Sequence, residues 1–96
     1  MFIKINSYDI ARGKKMGVAG RYTIYPHVID AAIINTDNIK YISKMHTNTM
    51  YDYEWSDVKG EELYIVYLGG ANEGLGLFYI DKEDVNRVFE IIGVSL

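Results

Sequence analysis

The chain has 96 residues, a mass of 11.0 kDa and a formal net charge of −3. That is one domain, residues 1–96, with a folded surface of roughly 5,600 Å² by size scaling. Apolar residues make up 49%, charged residues 24%, and there is a single proline, which excludes a disordered, collagenous or low-complexity chain. With no cysteine there is no disulfide framework, thiol nucleophile or Cys-ligated zinc. No apolar run is long enough to span a bilayer, and MFIKINSYD lacks a signal-peptide core, so a cytoplasmic location is expected.

Phe2 to Asn6 reads as a short strand with Ile3 and Ile5 on one side. Residues 7–20 lose periodicity, and residues 11–21 hold three glycines and four cations, which predicts a long loop. Tyr22 to Tyr25 suits a strand that Pro26 interrupts, at an edge, bulge or bend. Val28 to Asn35 is almost continuously apolar and predicts a central strand covered on both faces, with a helical turn over 28–32 as the alternative. Thr36-Asp37-Asn38 is turn chemistry, and Ile39 to His46 reads as the next strand.

His46 to Thr49 predicts a hairpin turn into a strand over Met50 to Trp55. There Tyr51, Tyr53 and Trp55 alternate with Met50, Asp52 and Glu54. Ser56 to Glu62 is a polar turn, and Leu63–Leu68 and Leu75–Ile80 form a hairpin through the glycine-rich link at 69–74. The last element is the best signalled. Asp81 is an N-cap with Asp84 three residues on, and Glu83 and Asp84 favour the positive end of the helix dipole. Val85, Val88, Phe89 and Ile92 form one stripe, and Gly93 is the stop, so a helix is expected over 82–92. The fold class expected is α+β: a small curved antiparallel sheet or barrel of five to seven strands with one C-terminal helix. The sheet face away from the helix must be solvated, closed into a barrel or buried against a second copy.

Charge is uneven along the chain, +4 over residues 1–48 and −7 over residues 49–96. Segregated in space, that would make a dipolar surface able to steer a charged partner. Catalytic chemistry finds little support. His27 and His46 have no metal-ligand spacing around them, and no serine lies in a nucleophile elbow. The carboxylates at 52, 54, 57, 61 and 62 carry no mark of the apolar pocket that a general acid needs. The expectation is a protein that is not an enzyme and holds neither metal nor cofactor.

The strip Tyr51-Asp52-Tyr53-Glu54-Trp55 is the strongest binding signal, because Tyr and Trp dominate hot spots and acids beside them complement a basic partner. The expected function is a small non-catalytic protein-binding module, with an ordinary half-buried strand as the bland alternative. The second expectation is a small anion or nucleic acid held by Arg12, Lys14, Lys15 and Arg21 in the basic loop. An uncovered face or unprotected edge strand would make a homodimer.

The stretches Ile34-Asn35-Thr36-Asp37-Asn38-Ile39-Lys40-Tyr41-Ile42, Tyr64-Ile65-Val66-Tyr67-Leu68 and Phe78-Tyr79-Ile80-Asp81-Lys82-Glu83-Asp84-Val85 resemble short proteins of bacteria and their phages. Their plan is strand, turn, strand, hairpin, capped helix, and the flagellar protein family FlbD is similar. The resemblance covers about half the chain and brings no catalytic residues. It implies a small accessory protein, phage- or mobile-element-encoded, that inhibits or regulates a host protein by binding. The basic loop and the aromatic strip depart from that plan.

Overall fold

The computed structural model describes residues 1–16, 22–70 and 73–93, with side chains given for 1–10, 22–69 and 76–93. Six strands precede one helix: β1 (Phe2–Met16), β2 (Tyr22–Asn35), β3 (Ile39–Lys44), β4 (Tyr51–Tyr53), β5 (Leu63–Gly70), β6 (Glu73–Asp81) and α1 (Lys82–Ile92). They form one sheet in the order β3-β5-β6-β1-β2-β4. The α+β class with a C-terminal helix is as expected. The sheet is open, and it is mixed, because β4 runs parallel to β2 while the other pairings are antiparallel.

Strand alternation separates two cores. Ile3 and Ile5 of β1, Tyr64 and Val66 of β5, and Ile80 of β6 share the face that meets Val85 and Val88 of α1. Residues of opposite parity, Tyr8, Leu63 and the half-buried Tyr79, belong to a second cluster on the other face, closed by Val58 and Trp55. The face away from the helix is therefore covered at one end by the segment between β3 and β5.

The helix forms where the sequence signals it. The Asp81 carboxylate accepts the Asp84 N–H at 2.9 Å, and Gly93 adopts φ 79°, the left-handed conformation that suits a residue without Cβ. Asp84 does not reach back to close a capping box. Its side chain turns to β1 instead, accepting the Asn6 N–H at 2.8 Å. Ile92, expected on the apolar stripe, is 41% exposed because the last turn runs past the buried cluster.

Four sequence expectations are corrected. Residues 7–16 do not leave the strand and residues 11–16 are not loop, since β1 continues to Met16; residues 17–21 lie outside the described residues. Pro26 does not interrupt β2, which passes through it opposite Ile10; it lies on the edge of the sheet, one of the settings expected for it. Val28–Asn35 is a strand but is not covered on both faces: Val28, Ile29 and Ile33 are exposed. β4 pairs with β2 only over Tyr22–Ile24, which leaves the rest of β2 at the sheet edge.

Finally, residues 46–49 do not form a hairpin, because β3 and β4 lie at opposite edges of the sheet. A flat six-stranded sheet is about 24 Å wide, and a fully extended link from Lys44 to Tyr51 reaches about 23–25 Å. That link is not extended, since Tyr51 N–H donates to the Asn48 carbonyl. The sheet must curl to bring its edges together. The same order interleaves strands from the two sequence halves, so the +4 and −7 of the halves do not become two separate sides.

Candidate functional site

Where the curled edges approach, an open cleft of about 560 Å³ is lined by Lys44, Met45, His46, Thr47, Trp55, Glu61, Glu62 and Leu63. Three connections build it. Met45 N–H donates to the Leu63 carbonyl at 2.9 Å and holds the end of β3 against the start of β5. The Val58 side chain is buried, and its N–H donates to the Trp55 carbonyl at 2.9 Å, which folds the turn after β4 onto the sheet. Glu61 N–H donates to the Val58 carbonyl, closing a 3-10 turn over Lys59–Glu61.

The floor is apolar. Trp55 and Met45 pack against the cluster of Tyr8, Val58 and Leu63. The Trp55 ring stacks on Tyr53 with centroids 5.5 Å apart and planes 11° from parallel. The Tyr53 hydroxyl accepts the Asn48 N–H at 2.9 Å, which fixes that ring in turn.

The rim is charged. Lys44 Nζ lies 3.7 Å from the Glu62 carboxylate, and the Tyr64 hydroxyl donates to the same carboxylate at 2.7 Å. The Tyr64 hydrogen bond, ahead of the Lys44 charge, holds the Glu62 carboxyl below its ordinary range. The same bond raises the Tyr64 phenol. Glu61 has φ 55°, the one positive φ outside glycine among the described residues. Such a conformation costs of order 1–3 kcal/mol and tends to occur at sites of function. The Glu61 carboxylate has no ion-pair or hydrogen-bond partner among the described residues.

No family model matches the chain, and comparison with curated proteins and with solved structures returns no match. What the site can do therefore rests on its own geometry.

The aromatic–acidic strip is partly assembled. Tyr51, Asp52 and Tyr53 are half-buried in β4, Glu54 is exposed, and Trp55 is half-buried just beyond the strand. The structure brings Tyr53 and Trp55 together and makes Trp55 at once a packing residue and a cleft wall. Glu61, Glu62 and Lys44 were missed as partners of that strip. No local spacing links positions 44, 55 and 61; only the edge-to-edge curl does.

Of the expected anion-binding residues, Arg12, Lys14 and Lys15 lie on β1, and Arg21 lies outside the described residues. Among the described residues, no three His, Asp or Glu side chains gather as a metal site. Among the described residues, no helix is long and apolar enough to cross a membrane.

Proposed function

We propose that this chain is a small non-catalytic protein-binding module, and that the Trp55 cleft receives a basic side chain of its partner. The supporting observation is the pairing of an apolar floor with a carboxylate at its rim that has no partner among the described residues. Trp55, Met45 and Leu63 suit the aliphatic stem of a lysine or arginine, and Glu61 suits its charged head. Exposed Glu54 and Asp57 add negative charge nearby in sequence. Binding to a partner in this way is how a small inhibitor or regulator of a host protein works.

Acid–base catalysis is a poorer fit. Glu62 is engaged by two partners that keep it ionised, opposite to the raised carboxyl of a general acid. His46 is exposed, and no described side chain orients it.

Trp55 is the only tryptophan, so fluorescence excited beyond the absorption of the tyrosines reports on the cleft. Titration with an arginine-rich peptide should give a saturable change that weakens with salt and is reduced by Glu61→Gln, while an acidic peptide of equal length gives none. An unchanged spectrum with the basic peptide at low salt would refute the reading.

A further inference from the structure

The two long edges of the sheet are treated differently. β3, at one edge, carries Lys40 and Lys44, and such charges discourage another strand from adding. At the other edge, β4 shields only Tyr22–Ile24, and residues 31–35 of β2, Ala-Ala-Ile-Ile-Asn, carry no charge and no proline. Ile33 there is 71% exposed, and so is Phe2 on the neighbouring strand.

The hydrogen bonds say which residues of β2 face outward. Thr36 N–H donates to the Met1 carbonyl, so even-numbered residues at this end turn their backbone toward β1. Ala31 N–H is taken by its neighbour Asp30 Oδ1 at 2.7 Å rather than by β1. In an antiparallel ladder the N–H and C=O of one residue point the same way. Among the described residues, the Ile33 N–H and carbonyl, the Ala31 carbonyl and the Asn35 N–H therefore face outward on this edge, while the Asn35 carbonyl is taken by the 3-10 turn that it caps.

We propose that a second copy of this chain adds at that edge, β2 against β2 and antiparallel, about a two-fold axis at Ile33. Antiparallel pairing of a strand with itself is an isologous contact and needs no other partner. Outward residues must meet outward residues, which sets Ile33 opposite Ile33 of the second copy and Ala31 opposite Asn35. Each Asn35 N–H donates to the Ala31 carbonyl of the second copy, and the Ala31 N–H keeps its Asp30 carboxylate. In this register Asp30 lies opposite Thr36, so no like charges are opposed. Ile33 pairs with Ile33 on the face away from the helix, with each Phe2 diagonal to it across β1 and β2. The β-bulge at Ile29, where β1 passes from Ser7 to Tyr8 as β2 passes from Asp30 to Val28, ends the flat stretch available for pairing. This contact uses a different surface from the Trp55 cleft, and either can fail without the other.

The test is sedimentation equilibrium of the full chain from low to high micromolar concentration. The expected result is a concentration-dependent rise from 11.0 kDa to twice that mass. Ile33→Lys places two cations face to face across the axis. It should hold the chain at monomer mass, with an unchanged circular dichroism spectrum and the melting temperature of the wild-type chain diluted to monomer, because Ile33 is exposed in the single chain. Ile33→Cys supplies the one cysteine of the chain, and paired Cα atoms about 5.5 Å apart are within disulfide reach. Mild oxidation should convert it to a covalent dimer, while Ser56→Cys, on an exposed loop, should stay monomeric. A wild-type chain that remains at 11.0 kDa throughout overturns the proposal. So does a dimer that persists in Ile33→Lys or fails to cross-link in Ile33→Cys.

Discussion

The Asp84 carboxylate accepts the main-chain N–H of Asn6 at 2.8 Å, joining the first turn of the helix to a strand 78 residues away in sequence. It does so where the sheet ladder stops. β1 and β6 are bridged at Tyr8 and Tyr79, and beyond that bridge β6 becomes helix. Asp84 and Arg87 then act in place of a strand: Arg87 donates to the Lys4 carbonyl at 3.1 Å and to Asp84 at 3.0 Å. Two side chains of α1 thus satisfy backbone groups of β1 that no strand reaches.

Replacing Asp84 with alanine should therefore cost more than a lost surface ion pair. It leaves the Asn6 N–H without its partner and Arg87 with the Lys4 carbonyl but not the carboxylate, a change worth about 1–3 kcal/mol. For a domain of this size that lowers the melting temperature by roughly 4–8 °C per kcal/mol. Thermal melts of Asp84→Ala beside the exposed control Glu90→Ala would check it, and equal melting temperatures would contradict it.

Tyr8 makes stability depend on alkaline pH. Its hydroxyl donates to Asp81 Oδ2 at 2.9 Å. Burial first, and then the hydrogen bond and charge of Asp81, push its phenol well above the ordinary tyrosine value. A folded-state value above the unfolded one means that the stabilisation is complete below about pH 10 and is lost as pH rises toward the folded value. Denaturant unfolding between pH 8 and 11.5 should show stability falling above about pH 10, with a smaller fall in Tyr8→Phe. The variant itself should be less stable at neutral pH by about 1–3 kcal/mol, because the buried Asp81 keeps one oxygen unpaired.

Glu62 tests the cleft rim in the opposite direction. Its carboxyl is held below the ordinary value, chiefly by the Tyr64 hydroxyl. The interaction is present above the unfolded value and is lost as pH falls through the depressed folded one. Carboxyl carbon NMR should follow this titration, and Tyr64→Phe should move it up toward the ordinary range. A titration that stays put would mean that the charges of Lys44 and Lys82 hold it without the hydroxyl.

Local signals were legible in the sequence where one element carries its own information. The helix over 82–92, its Asp81 cap and Gly93 stop, and the β5–β6 hairpin all follow from spacing within a few residues. Relations between distant segments were not. An apolar run such as Val28–Asn35 looks the same in a central strand as at an edge, and only the three-residue length of β4 decides which it is. The turn chemistry at 46–49 is equally good for a hairpin and for the crossing that the sheet uses. The cleft was invisible for that reason: Lys44, Trp55 and Glu61 meet because the sheet curls, and curl is not written in any local pattern.

Trp55 shows what that costs in practice. As a side chain of a solvated strip, it would be replaced by alanine with loss of binding and no loss of stability. In the fold it packs against Tyr8, Val58 and Leu63 and stacks on Tyr53. Trp55→Ala should therefore lower stability, by about 1–3 kcal/mol for a half-buried aromatic, below the 3–5 kcal/mol of a fully buried one. It should also loosen the turn at Val58 and so perturb the cleft twice. Glu61→Gln is the cleaner probe, since its carboxylate has no hydrogen-bond or ion-pair partner among the described residues. Denaturant melts should separate the two variants, with Glu61→Gln within about 0.5 kcal/mol of wild type. A Trp55→Ala chain as stable as the wild type would show that its ring contributes contact surface alone and would return the whole strip to the role of a docking face.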